Sequence, residues 1–263
     1  MTDQIEIRQL TTMDEIEQIQ KIEEAVWNMS PIPIHQKYTA SNNGGMILGA
    51  FDGEQTVGFL YSFPGFDGKK TYLCSHMLGI LPAYRKSGLG MNMKLKQLEI
   101  AKRIGYDMIT WTFDPLESLN AYLNLHKLGA TGAYYKENHY RTLTDQLNKG
   151  LPTDRIQIEW YVNEKRQLPS FSVDESNVLL QVGNENTPVI TDVYSHSFPM
   201  QKDYWLVGVP ENFQTMKQQK PQIAEKWRYD SRQVFQSLFN EHYQAVDVIK
   251  DEPSNCHYYV FMK

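Results

Sequence analysis

The sequence has little cysteine, no long apolar run and no excess of positive charge. Its 263 residues include only two cysteines, Cys74 and Cys256, which lie far apart and lack the spacing of metal ligands. That usage argues against a disulfide scaffold and a metal site, and it predicts a reduced, cytoplasmic protein. No run of about 18 apolar residues occurs, so no membrane span is expected. The polar start, MTDQIEIRQL, does not resemble a signal peptide.

The charge balance excludes two classes of partner. The formal net charge is −5, whereas binding to nucleic acid or to an anionic membrane needs a positive field. Hydrophobic residues make up 41% of the chain and charged residues 22%, which is ordinary for a globular protein with a buried core. The oligomeric state is left open by these numbers.

Local patterns in the first half predict a strand, a helix and three antiparallel strands. Residues 5–10 read as the first strand, and Thr12-Met-Asp-Glu15 has the form of a capping box. The helix that follows is expected to bury Ile16, Ile19 and Ile22 and to end near Trp27, before two prolines. Asp52-Gly53 and Asp67-Gly68 are turn signals that join three strand-like runs into a meander.

The pattern then changes to alternating helices and strands. The segment RKSGLG opens a helix that ends at Gly105, and its predicted apolar face carries Met91, Leu95, Leu98, Ala101 and Ile104. The strand MITWTF, a second helix that ends at Gly129, and two more strands complete this half. We predict one domain at 1–162, a polar linker at 163–176, and a smaller α/β domain at 177–263 with a helix at about 221–240.

The segment Arg85 to Gly90 has the properties of an anion cradle. Glycines allow a sharp turn and a close approach of the backbone to a ligand, and the start of a helix contributes partial positive charge. A P-loop would need Gly-Lys-Ser/Thr, but Gly90 is followed by Met91, and a dinucleotide-binding loop would need a glycine where Met93 stands. An ordinary strand-to-helix turn with solvated basic residues is the alternative for the isolated motif.

The order of elements resembles the GNAT acyltransferase superfamily over roughly residues 5–162. The signature of that family is a hydrophobic strand with a proline near its end, followed by Q/R-x-x-G-x-G/A, and the segment Ile80 to Gly90 matches it. A looser match runs from Ser118 to Ala130. The resemblance implies an α/β GNAT fold, with a mixed, largely antiparallel sheet and flanking helices, and here with an added C-terminal unit.

The resemblance also implies an acyl-CoA co-substrate, no metal, and direct attack of an amine on the thioester. In the family, the strand before the loop pairs with the pantetheine arm, the loop holds the diphosphate, and the next helix borders the arm. The residues that this assigns to acyl-CoA are Leu78, Gly79, Ile80, Arg85, Lys86, Ser87, Gly88, Leu89, Gly90, Ser118 and Ala121.

The catalytic groups are less clear from the family pattern. Many GNAT enzymes carry a tyrosine four residues before the glycine that ends the second helix, but Leu125 stands there and has no proton to give. His76 is the candidate general base, because some family members have a catalytic histidine on this strand and its pKa suits the task. Alternation along the strand places His76 on the same face as Leu78 and Ile80. A packing role for His76 is the alternative.

In the C-terminal unit, Arg228 and Arg232 lie one helical turn apart and are predicted to hold a carboxylate of the acceptor. A solvated basic face is the other reading. The sequence thus predicts an acyl-CoA-dependent N-acyltransferase, most simply an acetyltransferase, that acts on a small amine or amino acid. The alternative function is a non-catalytic module that binds or senses acyl-CoA.

Overall fold

The computed structural model describes residues 5–85, 87–141, 150–200, 202–251 and 256–263. The chain divides into two compact units, one formed by 1–111 with 160–164 and the other by 112–159 with 165–263. Among the described helices, none is both long and apolar enough to cross a membrane.

The first unit carries the predicted strand, helix and meander. Its elements are β1 (Glu6–Gln9), α1 (Met13–Glu17), α2 (Gln20–Trp27), α3 (Ile34–Asn42), β2 (Met46–Asp52), β3 (Gln55–Phe66), β4 (Thr71–Ile80), a 3-10 turn (Pro82–Tyr84), α4 (Leu89–Ile104) and β5 (Met108–Phe113, of which the last two residues belong to the second unit). β1 to β4 pair in sequence order and antiparallel, and β5 lies parallel to β4.

The N-terminal helical segment is confirmed, with one addition and one break. Thr12 and Glu15 form both halves of the predicted capping box. The helix is interrupted between Glu17 and Gln20, while Ile16, Ile19 and Ile22 are all buried as predicted. The sequence patterns do not predict α3. The prolines at 31 and 33 indicate the end of helical structure, whereas Pro33 stands at the N-cap of a new helix.

A buried ion pair holds α2 and α3 together. Glu23 and Lys37 are 1% and 0% exposed, and the Lys37 ammonium donates to Glu23. The same carboxylate accepts the backbone N–H of Ile32 at 2.8 Å. Glu23 therefore ties both helices and the loop between them through one side chain.

The second unit carries a sheet in which the predicted C-terminal strands join the strands at 131–136 and 155–159. Its elements are α5 (Ser118–Ala121) continuing as a π-helix (Tyr122–Lys127), β6 (Thr131–Lys136), β7 (Arg155–Tyr161, of which the last two residues belong to the first unit), β8 (Val178–Val182), β9 (Pro188–Ile190), α6 (Asp192–His196), β10 (Trp205–Pro210), α7 (Phe213–Gln219), α8 (Pro221–Asn240), β11 (Gln244–Asp251) and β12 (Cys256–Met262). Strand order in this unit is β7-β6-β11-β12-β10-β8-β9.

The division of the chain differs from the predicted boundary at 163–176. β6 pairs with β11 through Gly132 and Ala245, so residues 112–159 group with the C-terminal strands. The close approach depends on glycine, because a Cβ at position 132 would lie 2.9 Å from both Ala245 Cβ and Ile156 Cγ2. The 163–176 segment has almost no regular structure, but Leu168 and Phe171 pack on the core of this unit.

Candidate active site

A β-bulge on β4 sets the position of His76. Tyr61 is opposite Met77 and Ser62 is opposite Ser75, so His76 is the extra residue on its strand. A bulge breaks the alternation of side chains. The prediction that His76 shares a face with Leu78 and Ile80 is therefore wrong. The His76 ring contacts Tyr61 and Phe63. Ile80 instead lies on the face covered by α4, because a Cβ built on Gly58 would be 3.4 Å from Ile80 Cγ1 and 3.5 Å from Met93 Sδ of that helix.

The surroundings of His76 keep its imidazole neutral. Its ring centre is 6.1 Å from that of Tyr61 and 5.5 Å from that of Phe63, both in edge-on arrangements. Burial against these rings lowers the pKa of His76 below 6.5, and the Glu23 carboxylate opposes part of that effect. The residue nevertheless retains an exposed side. A neutral, accessible imidazole can accept a proton at neutral pH.

Next to the bulge, β4 and β5 diverge. Their described ladder consists of Leu73 with Ile109 and Cys74 with Thr110, and within the described strands it goes no further towards Ile80. The backbone edge from Leu78 to Ile80 thus lacks a β5 neighbour in this part of the chain. Such an edge offers N–H and C=O groups to an extended ligand, which is what the pantetheine prediction for Leu78, Gly79 and Ile80 requires.

The glycine loop leads directly into the N-terminus of α4. Gly88 is the N-cap and has φ +84°, a left-handed conformation that L side chains rarely adopt, and open space surrounds its missing Cβ. Leu89 and Gly90 begin the helix, whose first-turn N–H groups have no intrahelical acceptors. Those groups and the helix dipole favour an anion.

Local hydrogen bonds shape the approach to this loop. The Tyr84 hydroxyl donates to Asp52 at 2.7 Å, which fixes the 3-10 turn to the β2–β3 hairpin. Arg85 is exposed, with its Nε donating to the Ile80 carbonyl at 3.1 Å, and the Ser87 hydroxyl donates to the Tyr84 carbonyl at 2.7 Å. Lys86 lies outside the described residues.

A buried polar chain beneath the bulge was not predicted. Lys94 is 3% exposed, and its Nζ donates to Ser75 Oγ at 2.9 Å and to Gln97 Oε1 at 3.2 Å. Gln97 in turn donates to Ser62 Oγ at 2.6 Å. Burial lowers the pKa of Lys94 well below its usual value.

The polar chain also corrects the predicted face of α4. Leu95 and Ile104 are 43% and 49% exposed, whereas Lys94 and Gln97 are buried. The spacing of apolar residues does not predict the buried face of this helix, because two polar side chains occupy it and form hydrogen bonds with Ser75 and Ser62. Lys94 and Gln97, three residues apart on one helix, were the available sequence signal.

In the second unit, the predicted contacts on α5 are buried. Ser118 is 1% exposed and its hydroxyl donates to the Glu211 carbonyl at 2.9 Å, while Ala121 is 0% exposed. Leu125 is also fully buried, in the π-helical turn that follows. These positions contribute packing within their own unit.

Arg228 and Arg232 are both engaged by carboxylates of the chain itself. Arg228 is 2% exposed and donates to Asp114 Oδ2 at 2.5 Å. Arg232 holds Asp154 with two hydrogen bonds of 2.9 Å and also donates to Glu137 at 2.7 Å. Carboxylates of the chain thus already neutralise both guanidinium groups, which argues against the prediction that the pair holds an acceptor carboxylate.

The electrostatics at Asp114 agree with a structural ion pair. Burial alone would raise the pKa of this carboxyl, but Arg228 and Arg155 lower it below its usual value. Among the described residues, no group of three or more His, Cys, Asp or Glu side chains is placed to hold a metal ion.

The comparison with protein families identifies the class. Residues 11–130 match the model described as the Acetyltransferase (GNAT) family. This segment is a GNAT acetyltransferase domain, and the family match confirms the predicted fold class and the enzyme class, a GNAT-type N-acyltransferase. No curated protein matches the chain significantly.

Solved structures share the fold at low sequence identity. The ribosomal-protein-S18-alanine N-acetyltransferase from Escherichia coli is 14% identical, with a TM-score of 0.50, over 64% of this chain and 100% of that one. The yncA structure from Salmonella typhimurium, solved with its cofactor acetyl-CoA, is 17% identical with the same coverage and TM-score. An N-acetyltransferase from Staphylococcus aureus Mu50 is 15% identical, with a TM-score of 0.50, over 61% of this chain and 100% of that one.

Proposed function

We propose that the chain transfers an acyl group, most simply acetyl, from acyl-CoA to the amine of a small molecule or amino acid. The observation that carries this proposal is the start of α4. Gly88 has a left-handed conformation, the first-turn N–H groups lack intrahelical acceptors, and within the described strands the β4 edge from Leu78 to Ile80 has no β5 neighbour. A diphosphate and an extended amide-containing arm are the two chemical features that such neighbours can bind together.

Two arguments support acyl-CoA as the donor: the chemical match between its parts and the residues around the glycine loop, and a structure of the same fold that contains acetyl-CoA. Gly88, Leu89 and Gly90 would receive the diphosphate on backbone N–H groups, and Arg85 and Lys86 would add positive charge. Leu78 to Ile80 would pair with the pantetheine amides. The Salmonella structure of the same fold was solved with acetyl-CoA, which supports that choice of donor.

In the proposed mechanism, His76 removes the proton that the amine must lose. The amine nitrogen attacks the thioester carbonyl carbon, an amide bond forms, and the C–S bond breaks with its electron pair on sulfur. The proton from the amine goes to His76 Nδ1 or Nε2. Leu125 cannot protonate the thiolate, and a thiol pKa of about 8.5 allows sulfur to leave as the anion.

The acceptor class rests on the face that His76 occupies. Tyr61 and Phe63 flank the imidazole, and Phe63 is half-buried beside it. Since Arg228 and Arg232 are occupied, we assign no carboxylate-binding role to them. A small amine with an apolar or aromatic body suits this surface.

The test is a thiol-release assay with acetyl-, succinyl- and octanoyl-CoA against a panel of small amines, amino acids and short peptides. We expect turnover with at least one small amine, and product mass should increase by one acyl group. If calorimetry shows CoA binding while no amine or peptide supports turnover, the domain is a non-catalytic acyl-CoA module. If CoA does not bind, the donor assignment itself is wrong.

A further inference from the structure

The second unit contains a cavity that neither the proposed donor site nor His76 uses. Its volume is about 600 Å³, and its walls come from the π-helical turn after α5, the 166–171 segment and β11. That volume is within the range of sites for small organic ligands, roughly 300–1,000 Å³. All of its walls belong to one unit of the chain.

Lys250 places a positive charge on the cavity wall. Its Nζ lies 4.0 Å from the centre of the Tyr122 ring. Among the described residues, no carboxylate lies within 4 Å of this ammonium group. A cation on an aromatic face remains free to bind an anion from its other side.

Arg166 adds a second positive charge. Its Nη1 donates to Thr131 Oγ1 at 2.6 Å and its Nη2 to the Ala130 carbonyl at 3.0 Å, both neutral oxygens. Its Nε is buried and, among the described residues, has no hydrogen-bond partner. Among the described residues, no carboxylate forms an ion pair with this guanidinium, although Asp247 is near enough to act on its charge.

The one carboxylate on the lining is already engaged. Asp247 Oδ1 accepts from His126 Nδ1 at 2.9 Å and from the Val248 N–H at 2.8 Å. The His126 ring also stacks on Tyr122 with centres 4.5 Å apart. The described lining thus carries two cations, Lys250 and Arg166, against the single carboxylate of Asp247.

The remaining walls are apolar. Leu125, Leu168 and Phe171 line the cavity, and Leu168 and Phe171 also pack on the core of the unit. We propose that this cavity binds a small organic carboxylate with an apolar body, its carboxylate near Lys250 and Arg166 and its body against Phe171. A free amino acid fits less well, because its ammonium group would meet these cations.

The probes for the test are phenylacetate and octanoate, with phenylacetamide as the uncharged match and phenethylamine as the cationic match. Titration calorimetry on the full chain would measure binding of each up to roughly 10 mM, the limit for a weak small-molecule site. We expect at least one carboxylate to bind and the amide and amine to bind much more weakly.

Two variants locate the site. Lys250→Gln should weaken carboxylate binding by about fivefold, the upper value expected for one ion pair at an exposed position. Ser170→Trp should abolish binding by filling the cavity from an exposed lining position. Lys263→Gln is the matched control, because Lys263 also lies over a tyrosine ring, 4.8 Å from the centre of Tyr243, but does not line the cavity.

Each contrary result overturns the proposal. If neither carboxylate binds, the cavity is not a carboxylate site. If phenylacetamide binds as tightly as phenylacetate, the positive charge of the lining does not contribute to binding. Unchanged affinity in both Lys250→Gln and Ser170→Trp would place the ligand elsewhere. None of these results depends on acyl transfer, so the proposal and the proposed enzyme activity can fail separately.

Discussion

The buried amine of Lys94 donates a 2.9 Å hydrogen bond to the hydroxyl of Ser75, the residue immediately before the bulged His76. The same Nζ lies 3.4 Å from the centre of the Trp111 ring. A helix side chain thus supports the strand at the point where its alternation breaks. Two opposing effects act on the amine: burial favours the neutral form, and the aromatic ring favours the charged form.

Burial is the larger effect on Lys94, and it gives a testable pH dependence of stability. The pKa of Lys94 is lowered in the folded chain, so between the folded pKa and about 10.4 the unfolded chain binds one more proton. Stability should therefore rise with pH in that window relative to Lys94→Met, by up to roughly 1.4 kcal/mol per pH unit. Urea unfolding of both proteins at pH 7, 8 and 9 measures the difference. A constant difference would mean that Trp111 keeps the amine charged.

Replacing His76 with Gln should reduce kcat at pH 7 by roughly 10²- to 10⁴-fold, the usual contribution of a general base. The lowered pKa of His76 keeps the wild-type base neutral down to more acidic pH than a free histidine. The deficit of the variant should shrink as pH rises, because the amine then loses its proton in solution.

The pH–rate profile of His76→Gln with the best amine acceptor checks this prediction, and CoA affinity should be unchanged. His35→Gln is the control, since His35 is an exposed residue of α3 in the same unit. A wild-type profile in folded His76→Gln would make His76 a packing residue.

Gly88→Asp should weaken CoA binding by at least tenfold, because it adds a negative charge at the proposed diphosphate site and a side chain in a left-handed conformation. Gly105→Asp is a matched control at the other end of α4: Gly105 also has a positive φ, +92°, and open space around its missing Cβ. Calorimetric titration with CoA measures both. Equal affinities in the two variants would contradict the cradle assignment.

Removing Arg228 should strongly destabilise the fold. Arg228→Met would leave Asp114 without its closest cation in a buried place, and breaking a buried pair costs about 3–5 kcal/mol. Lys226→Met, on the same helix, removes an exposed pair with Asp230 and should cost about 0–1 kcal/mol. Denaturant unfolding of both variants compares them. Similar losses would mean that the Asp114 pair contributes no more than a surface pair.

Local sequence signals were sufficient for much of the fold and for the glycine loop. Three kinds of feature depend only on residues close in sequence and are predicted correctly: the Thr12–Glu15 capping box, the turns at Gly53 and Gly68, and the helix start at Gly88. The bulge at His76 cannot be predicted in this way, because an extra residue in one strand is recognised only from its pairing with the neighbouring strand.

Long-range partners explain the other differences. Arg228 and Asp114 are 114 positions apart, and Arg232 and Asp154 are 78 apart. The spacing of two arginines on one helix does not show whether they bind a carboxylate of the chain itself or one of a ligand. The grouping of residues 112–159 with the C-terminal strands likewise depends on the β6–β11 pairing, which joins residues far apart in sequence.

The Glu23–Lys37 pair constrains how this domain can vary among descendants of the same ancestor. Replacing either residue alone strands a buried charge, while replacing both with apolar side chains of similar size can be nearly neutral. The Ile32 amide raises the barrier further, because it would lose its acceptor at Glu23. Positions 23 and 37 should therefore substitute as a pair, and the loop between α2 and α3 should change in the same lineages.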